Sequence, residues 1–129
     1  METPVLILFN FTPARVLEIG PCAQKCGFAL RRAANSEHRR PLMSILGAAP
    51  PEDVMTLPAF GDEMMVFSAP DRDRVFMFLS CLREHGVRPP ALKAVLTEHN
   101  LLWTPERLCA ELRQEHAALH AADGQKQDG

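Results

Sequence analysis

Four short apolar runs along the chain have the composition of buried β-strands. The first, VLILFNF, consists almost entirely of branched and aromatic residues, which is typical of a strand buried on both faces. The second, FALRRAA, is weaker and predicts a strand near a sheet edge. The four predicted strands cover residues 5–11, 28–34, 64–67 and 92–97.

The segments between the first and second strands, and between the third and fourth, have apolar residues at the spacing of an α-helix. Thr12 and Pro13 supply a capping hydroxyl and an N-terminal proline for a first helix, in which Pro21 predicts a kink or restart. After the third strand, Ser68 with Asp71 predicts the cap of a second helix. The apolar face of this helix is formed by Val75, Phe78, Leu79 and Leu82.

The connector between the two halves, residues 35–63, is rich in proline, and only residues 41–46 predict helical turns. Thr104-Pro105 repeats the cap-and-proline start for a last helix. The polar residues 123–129 predict a disordered tail. We therefore expect one domain over residues 1–122, followed by this tail.

The two halves of the chain also resemble each other in sequence. A shift of 59 positions places Arg15, Val16, Cys22 and Gly27 on Arg74, Val75, Cys81 and Gly86. We predict an α/β fold: a small four-stranded, mainly parallel sheet built from two βαβ units, with helices on both faces and a C-terminal helix. The alternative is a ferredoxin-like α+β fold, βαββαβ, in which the two units interleave.

Composition narrows the class of protein. The 129 residues are 47% hydrophobic and 23% charged, as in an ordinary soluble domain. A formal charge of −2 argues against bulk nucleic acid or an anionic membrane as the partner. The first residues lack the basic region and cleavage site of a signal peptide, and no run approaches the ~20 apolar residues of a membrane span. We therefore expect a cytoplasmic protein.

The familiar catalytic motifs are absent from the sequence. It contains no glycine-rich phosphate loop, dinucleotide fingerprint, HExxH, CxxC or GxSxG motif, and it has no tyrosine. We therefore expect no cofactor. Whether the protein is an enzyme stays open, with a non-enzymatic role favoured.

The cysteines invite a metal or redox interpretation. In a reducing compartment we expect thiols that pack as small buried hydrophobes, at Cys22, Cys26, Cys81 and Cys109. Cys22/Cys26 and Cys81/His85 are each four residues apart and together have the composition of a Cys₃His zinc site. Either predicted sheet keeps the two helix pairs apart, on opposite faces or at distant ends. We therefore predict no metal site, and we interpret Cys81 beside His85 as core packing rather than a nucleophile with its base.

Two groups of residues bear on whether the protein has a nucleic-acid surface. The basic cluster comprises Arg31, Arg32, His38, Arg39 and Arg40, and the strand aromatics are Phe9, Phe11 and Phe67. Together they invite comparison with an RNA-recognition sheet. The strand motif of such a sheet is missing and the net charge is acidic, so we interpret the basic cluster as a solvated loop or partner-binding edge.

Polar residues follow three of the predicted strands. These candidate ligand-binding residues are Asn10, Thr12, Ser68, Thr97, His99 and Asn100. In a parallel sheet they share the carboxyl edge, where ligands bind and helix N-termini offer N–H groups to an anion. His99 is the one acid/base candidate in the set.

Three segments resemble a known family. LFNFTPARV, MVFSAPDRDRVFMFLSCLREHGV and PALKAVLTEHNLLWTPERLCAEL are similar to an uncharacterised bacterial family, domain of unknown function 3783, over roughly residues 5–116. The resemblance implies a small cytoplasmic bacterial protein without an assigned activity. The chain departs from the family pattern at Glu98-His99, where Pro-Thr is usual, and at Pro21.

Two functional hypotheses follow. The first is a non-enzymatic protein-binding or regulatory module, which binds a partner or a second copy through the proline-rich connector and an adaptable methionine-rich surface. The methionines concerned are Met43, Met55, Met64, Met65 and Met77. The alternative is a small-anion or nucleotide binder, or a weak enzyme, that uses the carboxyl edge of the sheet.

Overall fold

A computed structural model describes residues 3–51, 55–68 and 71–128, with side chains described as far as residue 119. Along the chain it has strand β1 (Val5–Phe9), helix α1 (Pro13–Lys25), β2 (Ala29–Arg32), a 3₁₀ helix (Asn35–Arg39), α2 (Leu42–Ile45), β3 (Met64–Phe67), α3 (Arg72–Glu84), β4 (Leu92–Val95) and α4 (Pro105–Asp128). The four predicted strands are confirmed, and three of them are shorter than their apolar runs.

Local chemistry sets the helix starts. The Thr12 hydroxyl accepts the Arg15 N–H, which confirms the predicted cap of α1, and this helix runs through Pro21 without the predicted restart. The predicted cap of α3 is wrong in its residue. Asp71 accepts the N–H groups of Asp73 and Arg74 in the first turn of α3. The Ser68 hydroxyl instead accepts the Val5 N–H of β1.

The structure continues α4 as far as Asp128. The predicted domain boundary at residue 122 is therefore not marked by a helix end. Disorder of residues 123–129 stays a prediction.

The sheet has the order β2-β1-β3-β4. β1 pairs in parallel with β2, β3 pairs in parallel with β4, and the central β1–β3 pair is antiparallel. The prediction of a mainly parallel sheet made of two βαβ units with a C-terminal helix is confirmed. The ferredoxin-like alternative fails because the two strands of each unit are direct neighbours, with no strand of the other unit between them.

A pseudo-twofold axis relates the two βαβ units. Ile7 pairs with Val66 at the centre of the sheet, and Cys22 is cross-linked to Cys81. Both pairs are 59 residues apart, the shift at which the two half-sequences align. The internal sequence repeat thus corresponds to a structural repeat.

The antiparallel centre places α1 and α3 together on one face of the sheet. A twofold axis perpendicular to the sheet carries one right-handed crossover onto the other without changing the face. On this face Leu6 and Leu8 pack among side chains of α1 and α3. On the other face Ile7 and Phe9 pack against α2 and the first turns of α4. The expectation that the two crossover helices lie on opposite faces is wrong.

A disulfide joins α1 to α3 at this axis, between Cys22 and Cys81, whose Cα atoms are 5.8 Å apart. The expectation of four free thiols is therefore wrong for these two residues. Cys26 and Cys109 are free and buried. Among the described residues, no helix has the length and apolar character needed to cross a membrane.

Candidate functional site

The six predicted ligand-binding residues do not share one edge of the sheet. Asn10 and Thr12 follow β1, whereas Ser68 follows β3, which runs in the opposite direction. The residues that follow β4 lie at the same edge as Ser68, because β3 and β4 are parallel. The expected common site is therefore divided between opposite edges, and ligand binding by the six residues stays a prediction.

Several of these polar groups hold the fold together. Thr12 caps α1 and Ser68 accepts an N–H of β1. Asn100 is buried, accepts the Thr97 N–H and donates to the Val95 carbonyl, at 2.8 and 3.1 Å. Thr97 and His99 are exposed, and the His99 ring lies edge-on to Trp103, the ring centroids 5.1 Å apart.

Asn10 ends β1 in the left-handed region, with φ of 63°, and its amide donates to the Phe60 and Asp62 carbonyls, both at 2.9 Å. We expect Asn10→Ala to lower the free energy of unfolding by about 2–3 kcal/mol, because it loses both hydrogen bonds and strains the backbone. Asn10→Gly is the control that loses the bonds and keeps the conformation, so its loss should be smaller. Urea unfolding of both variants measures this. An unchanged stability of Asn10→Ala would contradict the assignment.

The aromatic residues of the RNA comparison offer no stacking surface. Phe9, Phe11 and Phe67 are each at most 4% exposed and lie in the two core layers. Within the basic cluster, Arg31 is engaged by the buried Glu37.

Arg31 of β2 and Glu37 of the connector form a buried ion pair. Both Glu37 oxygens accept from the Arg31 guanidinium, at 2.7 and 2.6 Å, and one also accepts the Ala34 N–H. Burial raises the pKa of Glu37, but these hydrogen bonds and the Arg31 charge outweigh burial and leave the pKa below its usual value. The pair fixes the 3₁₀ helix against β2.

A long concave surface in the described part of the chain lies between α3 and the edge strand β4, and we call it the α3–β4 groove. Cavities of about 610, 150 and 500 Å³ succeed one another along it. Adjacent cavities share Val75 with Val95, and Leu79 with Lys93, so the groove is continuous. It is lined by Phe67, Arg72, Val75, Phe76, Leu79, Arg83, Gly86, Val87, Arg88, Pro89, Lys93, Ala94, Val95, Leu96, Thr97 and Glu98.

The backbone of β4 is open along this groove. The Leu96 N–H donates to the Phe67 carbonyl of β3, so alternation along the strand turns the N–H groups of Lys93 and Val95 to the outer edge. The Val95 carbonyl is already bonded by the Asn100 amide. Asn100 therefore closes the carboxyl end of the edge and leaves its first half available.

The side chain of Lys93 makes one end of the groove basic. Its ammonium is half-buried and donates to the Pro90 carbonyl at 2.8 Å, and burial lowers its pKa. Within the residues that the structure describes, no carboxylate lies in salt-bridge distance of it. Arg83 and Arg88 line the same end. A half-buried cation without a counter-ion favours an anionic ligand.

The opposite end of the groove is mostly apolar, with Arg72, Thr97 and Glu98 at its margin. Phe76 is 64% exposed there, beside Val75 and Val95. The first βαβ unit packs differently at the equivalent position. There Leu30 of β2 lies over Gly20 of α1, and its Cδ1 atom is 3.9 Å from the point that a Cβ on Gly20 would occupy. The equivalents of these two residues are Lys93 and Leu79, which line the groove.

The sequence analysis did not identify this groove. The signal was present as a single lysine, Lys93, in an otherwise apolar strand, but the groove also requires β4 to lie at the sheet edge. Of the methionines expected to give an adaptable surface, Met64 and Met65 are in the core, whereas Met43, Met55 and Met77 are exposed.

Comparison with known proteins bears on the half of the chain that contains the groove. No curated protein and no solved structure matches the chain. One family, Domain of unknown function (DUF3783), matches residues 63–119, which include β3, α3, β4 and the first part of α4. The part of the predicted resemblance that precedes residue 63 lies outside the match. The second βαβ unit and the start of α4 thus carry the DUF3783 similarity that the sequence motifs indicate.

Proposed function

We propose that this protein is a non-enzymatic protein-binding module, which takes up an extended, acidic peptide segment of a partner along the α3–β4 groove. The observation that carries the proposal is the open edge of β4 beside a groove that is basic at one end and apolar at the other. Edge strands bind peptides by adding a strand, with the backbone giving affinity and side-chain pockets giving specificity. The proposal keeps the bacterial cytoplasm as the location.

The charges of the groove select the chemistry of the peptide. Lys93, Arg83 and Arg88 surround one end, so carboxylates belong there. Branched or aromatic side chains belong at the other end, against Phe76 and Val95. Lys93 and Val95 are two residues apart and face the same side of the sheet, so alternate residues of a bound strand contact the groove.

For a strand that pairs antiparallel with β4, the same two ends fix the order of the peptide residues. β4 runs from its basic end towards its apolar end, because Lys93 precedes Val95. An antiparallel strand therefore begins with apolar residues and finishes with acidic ones. A probe that meets these requirements is the peptide Val-Thr-Val-Thr-Glu-Thr-Glu, acetylated, amidated and carrying a fluorophore.

The test is a titration of the labelled probe with the full chain, followed by fluorescence anisotropy. We expect saturable binding that Lys93→Glu weakens at least about tenfold, because a carboxylate then replaces the cation that faces the two glutamates of the peptide. Lys25→Glu is the matched control, since Lys25 is exposed on α1 and does not line the groove. It should bind as the unmodified chain does.

Other possible occupants of the α3–β4 groove would give different results in this experiment. Equal binding of a probe with lysines in place of both glutamates would contradict charge selection. Self-association that excludes the probe from the groove would assign the groove to a second copy. Displacement of the probe by inorganic phosphate at similar concentration would favour the small-anion alternative. Each of these results overturns the proposal. Unchanged binding of the acidic probe by Lys93→Glu would overturn it as well, and thermal unfolding of that variant checks that it is folded.

A further inference from the structure

We infer that Cys22, Cys81 and His85 form a redox-gated site for a zinc ion, which binds after the disulfide is reduced. Cys22 lies on α1, and Cys81 and His85 lie one helical turn apart at the end of α3. Their ligand atoms all lie within 4.8 Å of one another. Two thiolates and an imidazole are ligands that zinc prefers.

The distances already approach those of a metal site. The Nδ1 atom of His85 is 3.9 Å from the Cys22 sulfur and 3.7 Å from the Cys81 sulfur. Tetrahedral zinc holds sulfur and nitrogen ligands about 3.5 Å apart and two sulfurs about 3.8 Å apart. Cleavage of the S–S bond allows the sulfurs to reach that separation, and a small rotation of the imidazole turns Nδ1 from the Cys81 carbonyl to the ion.

Burial and access also suit the site. Both cysteines are buried, at 2% and 5% exposure, whereas His85 is exposed and opens a route for the ion. The His85 Nδ1 atom is also 2.8 Å from the Cys81 carbonyl, a contact that metal binding replaces. Cys26 does not belong to the group, so the site has three protein ligands and leaves the fourth position to water.

Formation of the site takes two chemical steps, reduction of the disulfide and then binding of zinc. A phosphine, or a cellular dithiol, supplies two electrons to the disulfide, and each sulfur takes up one proton. The phosphine gains an oxygen from water, or the dithiol becomes a disulfide. Zinc then displaces both thiol protons, which are released to solvent. The proton that Nδ1 of His85 donates to the Cys81 carbonyl moves through solvent to Nε2, so that the unprotonated Nδ1 binds the ion. Oxidation of the pair abolishes two of the three ligands, so the oxidised chain does not hold the ion.

The test is native mass spectrometry of the full chain after incubation with one equivalent of zinc, with and without phosphine. We expect the reduced chain to retain one zinc ion and the oxidised chain to retain none. Competition with a coloured chelator should show that His85→Ala weakens binding at least about tenfold, because one of three ligands is lost. Cys22→Ser should lose the ion altogether.

Cys109→Ser is the control, since Cys109 is a buried free cysteine in the other core layer. The reduced form of this variant should bind zinc as the natural chain does. His85→Ala keeps the test informative if the cysteine variants fail to fold, because His85 is exposed at the end of α3. Equal zinc binding in both redox states, or unchanged affinity in His85→Ala, would overturn the inference.

Discussion

Glu37→Gln is expected to lower the free energy of unfolding by about 3 kcal/mol at neutral pH, because it leaves the Arg31 guanidinium buried without a counter-charge. Glu37 is 2% exposed, and the Arg31 side chain is 10% exposed. Urea unfolding measures the loss. Glu63→Gln is the control: the Arg15–Glu63 pair is more exposed, with 20% and 31% of the two side chains accessible, so its loss should stay below about 1 kcal/mol.

The pH dependence of the same pair has a definite sign. The pKa of Glu37 lies below its ordinary value of 4.5 in the folded chain. The stabilisation is therefore complete above that ordinary value and is lost as pH falls through the lowered pKa. The stability difference between the natural chain and Glu37→Gln should shrink in acid. A difference that stays constant with pH would contradict the assignment of the charge.

Reduction of the Cys22–Cys81 disulfide is expected to lower the free energy of unfolding by about 4 kcal/mol, because the bond closes a loop of 59 residues in the unfolded chain. The measurement is urea unfolding with and without phosphine. A chelator is present, so that zinc does not restore stability to the reduced pair.

Two variants control the reduction experiment. Cys22→Ser should have the lower stability at the outset and should not respond to phosphine. Cys109→Ser should respond as the natural chain does, because Cys109 takes no part in the bond. Equal stability of the oxidised and reduced natural chain would contradict a role for the disulfide in holding the two units together.

The βαβ units could be predicted from the sequence, whereas the antiparallel pairing of their central strands, β1 and β3, could not. The run from Val5 and the run from Met64 are apolar on both faces, which shows that both strands are central. Such a pattern is compatible with parallel and antiparallel pairing alike, because side chains alternate in the same way in both. The 59-residue shift shows that Cys22 and Cys81 occupy equivalent positions in the two units. When the units are placed around a twofold axis, two equivalent cysteines near that axis can form a cross-link.

The positions of the candidate site residues depend on the antiparallel pairing of β1 with β3. Asn10 and Ser68 follow equivalent strands, and the antiparallel centre of the sheet sends them to opposite edges. The same arrangement brings Cys22 next to Cys81 and removes the geometric argument against a metal site. The α3–β4 groove requires both the strand order and the closure of the edge by Asn100, which no local pattern reveals.

The most direct test of the proposed function is amide hydrogen exchange by NMR, recorded with and without the acidic probe peptide. A strand added to β4 engages the outward N–H groups of Lys93 and Val95. The account therefore predicts that exchange at these two amides slows on binding, whereas exchange at Leu30 and Arg32, whose N–H groups face outward on the opposite edge strand β2, stays unchanged. Unaltered exchange at Lys93 and Val95 under saturating probe would contradict peptide binding at this edge.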